Sequence, residues 1–232
     1  MNRMAAHPSH NAPKQARSRR SLRRLLDAAE SAFDKYGLEG ATVPRIARAA
    51  GLSPASVYRR FRDKDDLIRA VFRRASEIQI EELAKEVDLE QMRKVGIRNF
   101  TNHWIGGMLR GYGKRTGLIR AAMMYGQRHP HAAFVRRQQA LEIQNFRRLV
   151  QIFLLWRDEI RHPKPERAIA YGAMMVAFTA RELILFGQAE AFEALVPVGN
   201  DDLQRELSRA FLTYLDVELG EFGGQHSPPK MR

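Results

Sequence analysis

The 232-residue chain contains no cysteine. That excludes a disulfide framework, Cys-ligated zinc, iron–sulfur clusters and a cysteine nucleophile, and makes a reducing, cytoplasmic setting the expected one. Nor does it contain an uncharged apolar run of the roughly 18 residues a membrane helix needs, so no span and no membrane partner are expected. The opening MNRMAAHPSHNAPK lacks an apolar stretch, so a secretory signal is not expected there. Period-2 alternation is almost absent, which argues against sheet. Acidic residues are in short supply: 26 Asp and Glu stand against 39 Lys and Arg, a net charge of +13. Such a balance favours a polyanionic partner, nucleic acid before an anionic membrane surface.

The imbalance is concentrated. Residues 1–74 carry 17 basic and 7 acidic side chains, whereas residues 75–232 carry 22 and 19. A basic N-terminal module followed by a nearly balanced body is the organisation this predicts. Residues 1–16 are rich in Ala, Pro, His, Asn and Ser without periodicity and read as a disordered arm; the tail 220–232 reads as equally loose.

Between these ends the apolar residues recur at helical spacing, which predicts an all-α fold of about nine helices. A helix from near Ser18 carries Leu22, Leu25, Leu26, Ala29 and Phe33, with Gly37 at its end. Thr42 and Ser53 are read as N-caps of two short helices, Pro54 as the first residue of the second, and Asp63 as the cap of a long third. Further helices follow over about Leu89–Arg110, a short one over Leu118–Tyr125, then His131–Trp156, one from Pro165 or Glu166 to Phe186, and a last one from Asp201 or Asp202.

Residues 46–61, IARAAGLSPASVYRRF, have the pattern of a helix-turn-helix. Ala47 is small where the second helix crosses, Gly51 permits φ > 0 in the turn, and Val57 packs back with Leu52 and Phe61. The Ala/Gly/Val spacing by itself also fits an ordinary pair of antiparallel helices; the flanking arginines are what point to DNA. At about 100° per residue, Val57 and Phe61 point inward, while Ala55, Ser56 and Arg59 point outward. A guanidinium can pair bidentately with guanine, a hydroxyl with base or phosphate, and a methyl with thymine. Tyr58 and Arg60 on the flanks suit phosphates, or else form a core edge and a solvated charge. Arg45 is a further phosphate or base candidate. The basic stretch RSRRSLRR at 17–24 is either a solvated helix start or an arm reaching the minor groove or the backbone.

The stretch from about Ser21 to Phe72, with AAESAFDKYGLEGATVPRIARAAGLSPASVYRRFRDKDDLIRAVF, resembles the DNA-binding domain of the TetR family of bacterial transcriptional regulators. The resemblance implies a three-helix DNA-binding domain over 17–64, a helical ligand-binding and dimerisation domain over 65–219, and a homodimer. It also implies phosphate contacts at Thr42, Tyr58 and Lys64. Pro54-Ala55 stands where Lys/Arg-Gly is frequent in the family, removing one phosphate contact. The DNA-facing set is then Thr42, Arg45, Ser53, Ala55, Ser56, Tyr58, Arg59, Arg60 and Lys64.

The remainder is less specific. GYGKRTG at 111–117 is not a phosphate loop, because Arg115 separates Lys114 from Thr116 and no strand precedes it. His129 and His131 lack zinc-site spacing. No set of acid, base and nucleophile converges, so neither an enzyme nor a cofactor is expected. Between Glu90 and Glu142 there is no acidic residue, and ten basic ones occur. Either these arginines are solvated around core helices, or they mark a pocket for a hydrophobic ligand with an anionic end. The pocket reading assigns His103, Trp104, Met108, Arg120, Met123, Met124 and Tyr125 to a small-molecule effector. Gly106 and Gly107 relieve crowding, for a neighbouring helix or for that ligand. The helix over about Glu166–Phe186 is small and apolar almost all round and the last helix carries one apolar face; Met175, Phe178, Leu207, Phe211 and Tyr214 are assigned to a dimer interface, the alternative being burial within one subunit. The function expected is a ligand-responsive regulator, a repressor that binds a pseudo-palindromic operator as a dimer and is released by an apolar or amphipathic effector. A nucleoid-type protein with little sequence preference is the alternative.

Overall fold

In the computed structural model, residues 12–84, 88–187 and 199–218 are described. Among these residues the fold is all-α, with ten α-helices and no strand. They are α1 (Ala12–Gly40), α2 (Val43–Ala49), α3 (Pro54–Tyr58), α4 (Lys64–Ala84), α5 (Leu89–Val95), α6 (Ile97–Lys114), α7 (Thr116–Arg128), α8 (Ala133–Phe153), α9 (Pro165–Phe186) and α10 (Asn200–Tyr214). A 3-10 segment, Leu154–Glu159, follows α8.

Two boundaries and one cap differ from expectation. Helix α1 begins at Ala12, inside the segment expected to be an arm; Pro13 in its first turn forfeits no helical hydrogen bond. The rest of that arm, residues 1–11, and the tail 220–232 lie outside the described residues. The single helix expected over Leu89–Arg110 is two, because Gly96 adopts φ 78° and ends α5. Finally, Thr42 stands at the N-cap of α2 with extended backbone but makes no capping hydrogen bond through its side chain. Ser53 does cap α3, accepting from the Ser56 amide at 3.2 Å, and Asp63 caps α4 at the Asp66 amide at 2.7 Å.

The helices sort into two compact units. The first holds α1–α4, α7 and the start of α8; the second holds α5, α6, the rest of α8, α9 and α10. The sequence-based boundary after residue 64 is therefore not where the packing divides. Leu67, Ile68, Val71 and Phe72 of α4, with Leu118, Ala121 and Tyr125 of α7, join Leu25, Ala29 and Phe33 of α1 in one core. Helix α7 is fixed to α1 by the Asp34 carboxylate, which accepts from the amides of Gly117 (2.7 Å) and Leu118 (3.3 Å). These are orphan donors at a helix start, so a carboxylate there serves as an N-cap supplied from another helix. Gly117 is required: a Cβ there would overlap the Asp34 backbone.

The second unit is centred on rings. Phe153 lies 5.1 Å from Phe100, 5.8 Å from Trp104 and 5.0 Å from Phe211, centroid to centroid. Helix α9 has the length and hydropathy of a membrane span, but Ala168, Ile169, Ala173, Val176 and Ala180 along it are buried in this core. Gly172 lets α10 come close, since a Cβ would stand about 2.9–3.0 Å from the rings of Phe211 and Tyr214. Gly106 answers the crowding question for itself: its open side faces the Gln204 side chain of α10, a neighbouring helix.

Candidate nucleic-acid interface

The turn between α2 and α3 is built from the residues that the spacing singled out. Ala47 is fully buried, Gly51 has φ 66°, and the Leu52 amide donates to the Ala47 carbonyl at 2.9 Å, closing the reversal. Val57 and Phe61 are buried, so the opposite side of α3 is fixed outward. Ala55 and Arg59 are exposed and Ser56 is half-buried. Helix α3 ends at Tyr58, but Arg59 keeps helical dihedrals (φ −69°, ψ −20°), so it stays in phase with Ala55. The Arg59 guanidinium donates to Ser56 Oγ at 2.8 Å, and Ser56 Oγ lies 2.9 Å from Ser53 Oγ. Ser53, Ser56 and Arg59 thus form one hydrogen-bonded row along the exposed side.

Around this row the other expected residues divide. Tyr58 is exposed, with half its surface free, so the core-edge reading does not hold. Thr42 is exposed, and its hydroxyl is not spent on a cap. Arg45 and Lys64 have structural partners instead. Arg45 donates to the Gly40 carbonyl at 2.6 Å and stacks on the Tyr36 ring at 4.2 Å. The Lys64 ammonium donates to the carbonyls of Leu38 (2.6 Å) and Glu39 (3.3 Å), just past Gly37, where α1 is broken by a left-handed kink (φ 65°). An ammonium has three donors, so this does not bar a phosphate, but Lys64→Ala removes a helix-end bond as well as a charge. Arg60 donates to the Ser18 carbonyl at 3.2 Å, a tie to α1 that the solvated-charge reading did not foresee.

Residues 25–71 match the family model of "Bacterial regulatory proteins, tetR family". The match is confined to 47 residues of the N-terminal part, which is similar to the DNA-binding domain of that family. A 55-residue stretch is 42% identical to an HTH-type transcriptional repressor of Mycobacterium tuberculosis, covering 24% of this chain and 29% of that protein. The HTH-type transcriptional repressor AcnR of Corynebacterium diphtheriae is 31% identical over 91 residues, 38% of this chain and 48% of the relative. The chain thus matches less than half the length of these curated relatives. Among solved structures, a Mesorhizobium loti protein assigned to the TetR-family regulators superposes with TM-score 0.62 at 19% identity, over 86% of this chain and 97% of that one. GusR of Salmonella enterica gives TM-score 0.58 at 18% identity, over 84% and 95%. At these identities the structural likeness speaks for the TetR fold, which extends through both units.

The residues assigned to an effector divide between the two units. Trp104 and Met108 pack on the core of the second unit, with Trp104 5.5 Å from the Phe211 ring, and His103 is exposed. Tyr125 is buried in the first unit, edge-on to Phe72 (5.8 Å) and hydrogen-bonded by Arg69. Arg120 and Met123 are half-buried and Met124 is exposed in that same unit. Sequence reasoning missed a polar set in the second unit. Tyr112 of α6, Glu142 of α8 and Arg181 of α9 act on one another electrostatically. Desolvation pushes the Tyr112 phenol up, against the opposing pull of Arg181. Glu142 is an exposed residue, yet desolvation at its carboxyl raises it too, again opposed by Arg181. Arg181 Nε and Asn145 Oδ1 are buried without a hydrogen-bond partner. Two signals were available: Tyr112 continues the Phe100, Trp104, Met108 stripe by one step, and Glu142 ends the acid-free run.

The dimer assignment also needs revision. Leu207 and Phe211 lie in the second unit's own core, so they are not free to face another subunit. Ring contacts with Trp104 and Phe153 bury Phe211 within one chain. Met175, Phe178 and Tyr214 are exposed, and with them Tyr171 and Met174, as an apolar side of α9 and α10.

Proposed function

We propose that the protein is a DNA-binding transcriptional regulator, a repressor that binds a pseudo-palindromic operator as a homodimer and is released by a small apolar or amphipathic effector. The observation that carries this is the exposed Ser53–Ser56–Arg59 row on α3, held outward by the burial of Val57 and Phe61. Repressor names among the relatives support the direction of control. The row offers donors and a methyl (Ala55) to the major groove, and Thr42, Tyr58, Arg60 and Lys64 stand around it for phosphates. Two subunits related by a two-fold axis present two such helices, and hence half-sites one helical turn, about 34–36 Å, apart or a multiple of it. The exposed apolar side of α9 and α10 supports the two-fold partner. An effector reading draws on the second unit, which holds the buried, unpartnered Arg181 Nε and Asn145 Oδ1 and, packed on its apolar core, Trp104 and Met108, residue types that a small-molecule site combines.

The test is selection of bound DNA from a random pool by the full chain. A two-fold-symmetric site should emerge, bound at least about 10³-fold more tightly than unrelated duplex. A protein that enriches nothing, or binds all duplexes alike, is the nucleoid-type protein of the alternative reading.

A further inference from the structure

Ten residues of α1, Ala12–Ser21, precede Leu22, the first among the described side chains to pack against the core. At 1.5 Å per residue this is an overhang of about 15 Å. Arg17, Arg19, Arg20, Arg23 and Arg24 on and beside it are all exposed. None has an acidic partner among the described residues. The nearest carboxylates on the same helix, Asp27 and Glu30, are bound by Arg74 at 2.7 and 2.8 Å. Five positive charges are thus concentrated without neutralisation, an arrangement that costs self-repulsion unless an anion meets it. The overhang is also placed. Arg60, two residues past the end of α3, holds the Ser18 carbonyl at 3.2 Å, so the overhang is tied part-way along to the C-terminal end of α3, next to Arg59.

Resting on the DNA-binding reading above, we infer that this overhang is a second DNA-binding element, which takes the backbone phosphates of duplex flanking the α3 half-site, without regard to sequence. An extended arm could enter the minor groove, but a helix cannot: with side chains it is about 10–12 Å across, against a groove about 6 Å wide. Over about 15 Å of axis a duplex carries some nine phosphate charges, so one ridge can meet several of them. Helical spacing divides the ridge into two edges, Arg17–Arg20–Arg24 and Arg19–Arg23. The target is ordinary double-stranded DNA backbone, and the consequence is a footprint longer than the two half-sites, with added affinity that is shared by specific and non-specific DNA.

The experiment uses the full chain, the selected operator with flanks of about ten base pairs, one helical turn, the same operator trimmed to its half-sites, and an unrelated duplex of the longer length. The variants are R17Q/R20Q/R24Q and R19Q/R23Q, whose thermal midpoints should match the parent because the side chains are exposed. Trimming should weaken the parent at least about tenfold. At least one variant should lose that flank benefit, bind the unrelated duplex correspondingly less, and lower the salt slope by about 0.9 for each phosphate contact removed. Its preference among operator sequences should stay as in the parent. Equal cost of trimming in parent and both variants, or an unchanged salt slope in both, overturns the inference. The underlying reading is judged apart, by sequence preference in the parent: its loss would condemn the α3 assignment, while flank dependence on the unrelated duplex would still decide the overhang.

Discussion

In the first unit, charged side chains reach the ends of neighbouring helices; in the second, rings fill the space between helix faces. Asp34 caps α7, Lys64 caps the end of α1, Arg74 joins α4 to Asp27 and Glu30, and Arg128 pairs with Glu39. The second unit has few such ties. It stacks Phe100, Trp104, Phe153, Trp156 and Phe211 and trims two helices to glycine where α10 crosses. The difference matters because end contacts fix where a helix begins and how it is turned, which an α3 that reads DNA requires. Ring packing fills volume and tolerates rearrangement more readily, which suits a region proposed to respond to a ligand.

The largest effect that could break this contrast is at Phe211. Replacing it with Ala should cost about 3–5 kcal/mol, because the ring is almost wholly buried and its neighbours cannot close the gap. Denaturant unfolding followed by fluorescence of Trp104 and Trp156, both in the second unit, measures it. A cost under about 1 kcal/mol would mean that the ring cluster is not what holds this unit. Gly117→Ala comes next, at about 1–3 kcal/mol, since the added methyl must push α7 off the Asp34 backbone. Gly111→Ala is its control: nothing lies near that position in α6, so it should stabilise by up to about 1 kcal/mol. Asp34→Ala should cost about 0.5–2 kcal/mol, the value of a cap, with amide exchange rising first at Gly117 and Leu118.

Acid should sharpen the contrast by a smaller amount and with opposite signs. In the first unit the Asp66 amide and then Arg62 hold Asp63 below its usual range, and a hydrogen bond and charge from Arg128 do the same for Glu39. Their contributions are present above the unfolded carboxylate values of 3.8 and 4.5 and are lost as pH falls through the lower folded ones. Glu142 in the second unit is raised by desolvation, so protonation there relieves a penalty as pH falls through its folded value. Hydrogen exchange between pH 6 and pH 3.5 should therefore show protection falling earlier around α1 and α4 than around α8 and α9. The reverse order would remove the electrostatic half of the contrast.

How much of each unit was legible follows from the same difference. The α2–α3 turn needs a buried Ala, a positive-φ Gly and an inward Val at fixed spacing, so Ala47, Gly51 and Val57 announce it, and the outward side of α3 follows by rotation. The caps Ser53 and Asp63 are equally local. What escaped in this unit was long-range: nothing near Asp34 in sequence indicates that it caps a helix starting at Thr116, and so α7 was assigned to the other domain. In the second unit periodicity located the helices but not their partners. Phe211 and Phe178 both recur on apolar faces, and only packing tells that one is buried within the chain and the other exposed. Gly96 hid a helix boundary inside an apolar stripe that runs on with little change of phase. Arg181 and Asn145 sit on faces whose burial no local pattern specifies.

Arg59, held in phase with Ala55 and Ser56 by the burial of Val57 and Phe61, is proposed to read a base. The most direct test is to measure the affinity of the parent and Arg59→Ala for the selected operator and for operators changed one base pair at a time in each half-site. Arg59→Ala should lose about 1–3 kcal/mol on the operator and all discrimination at one position per half-site, with all other positions read as before. An equal loss on every duplex, with discrimination intact throughout, would make Arg59 a phosphate contact and contradict the account.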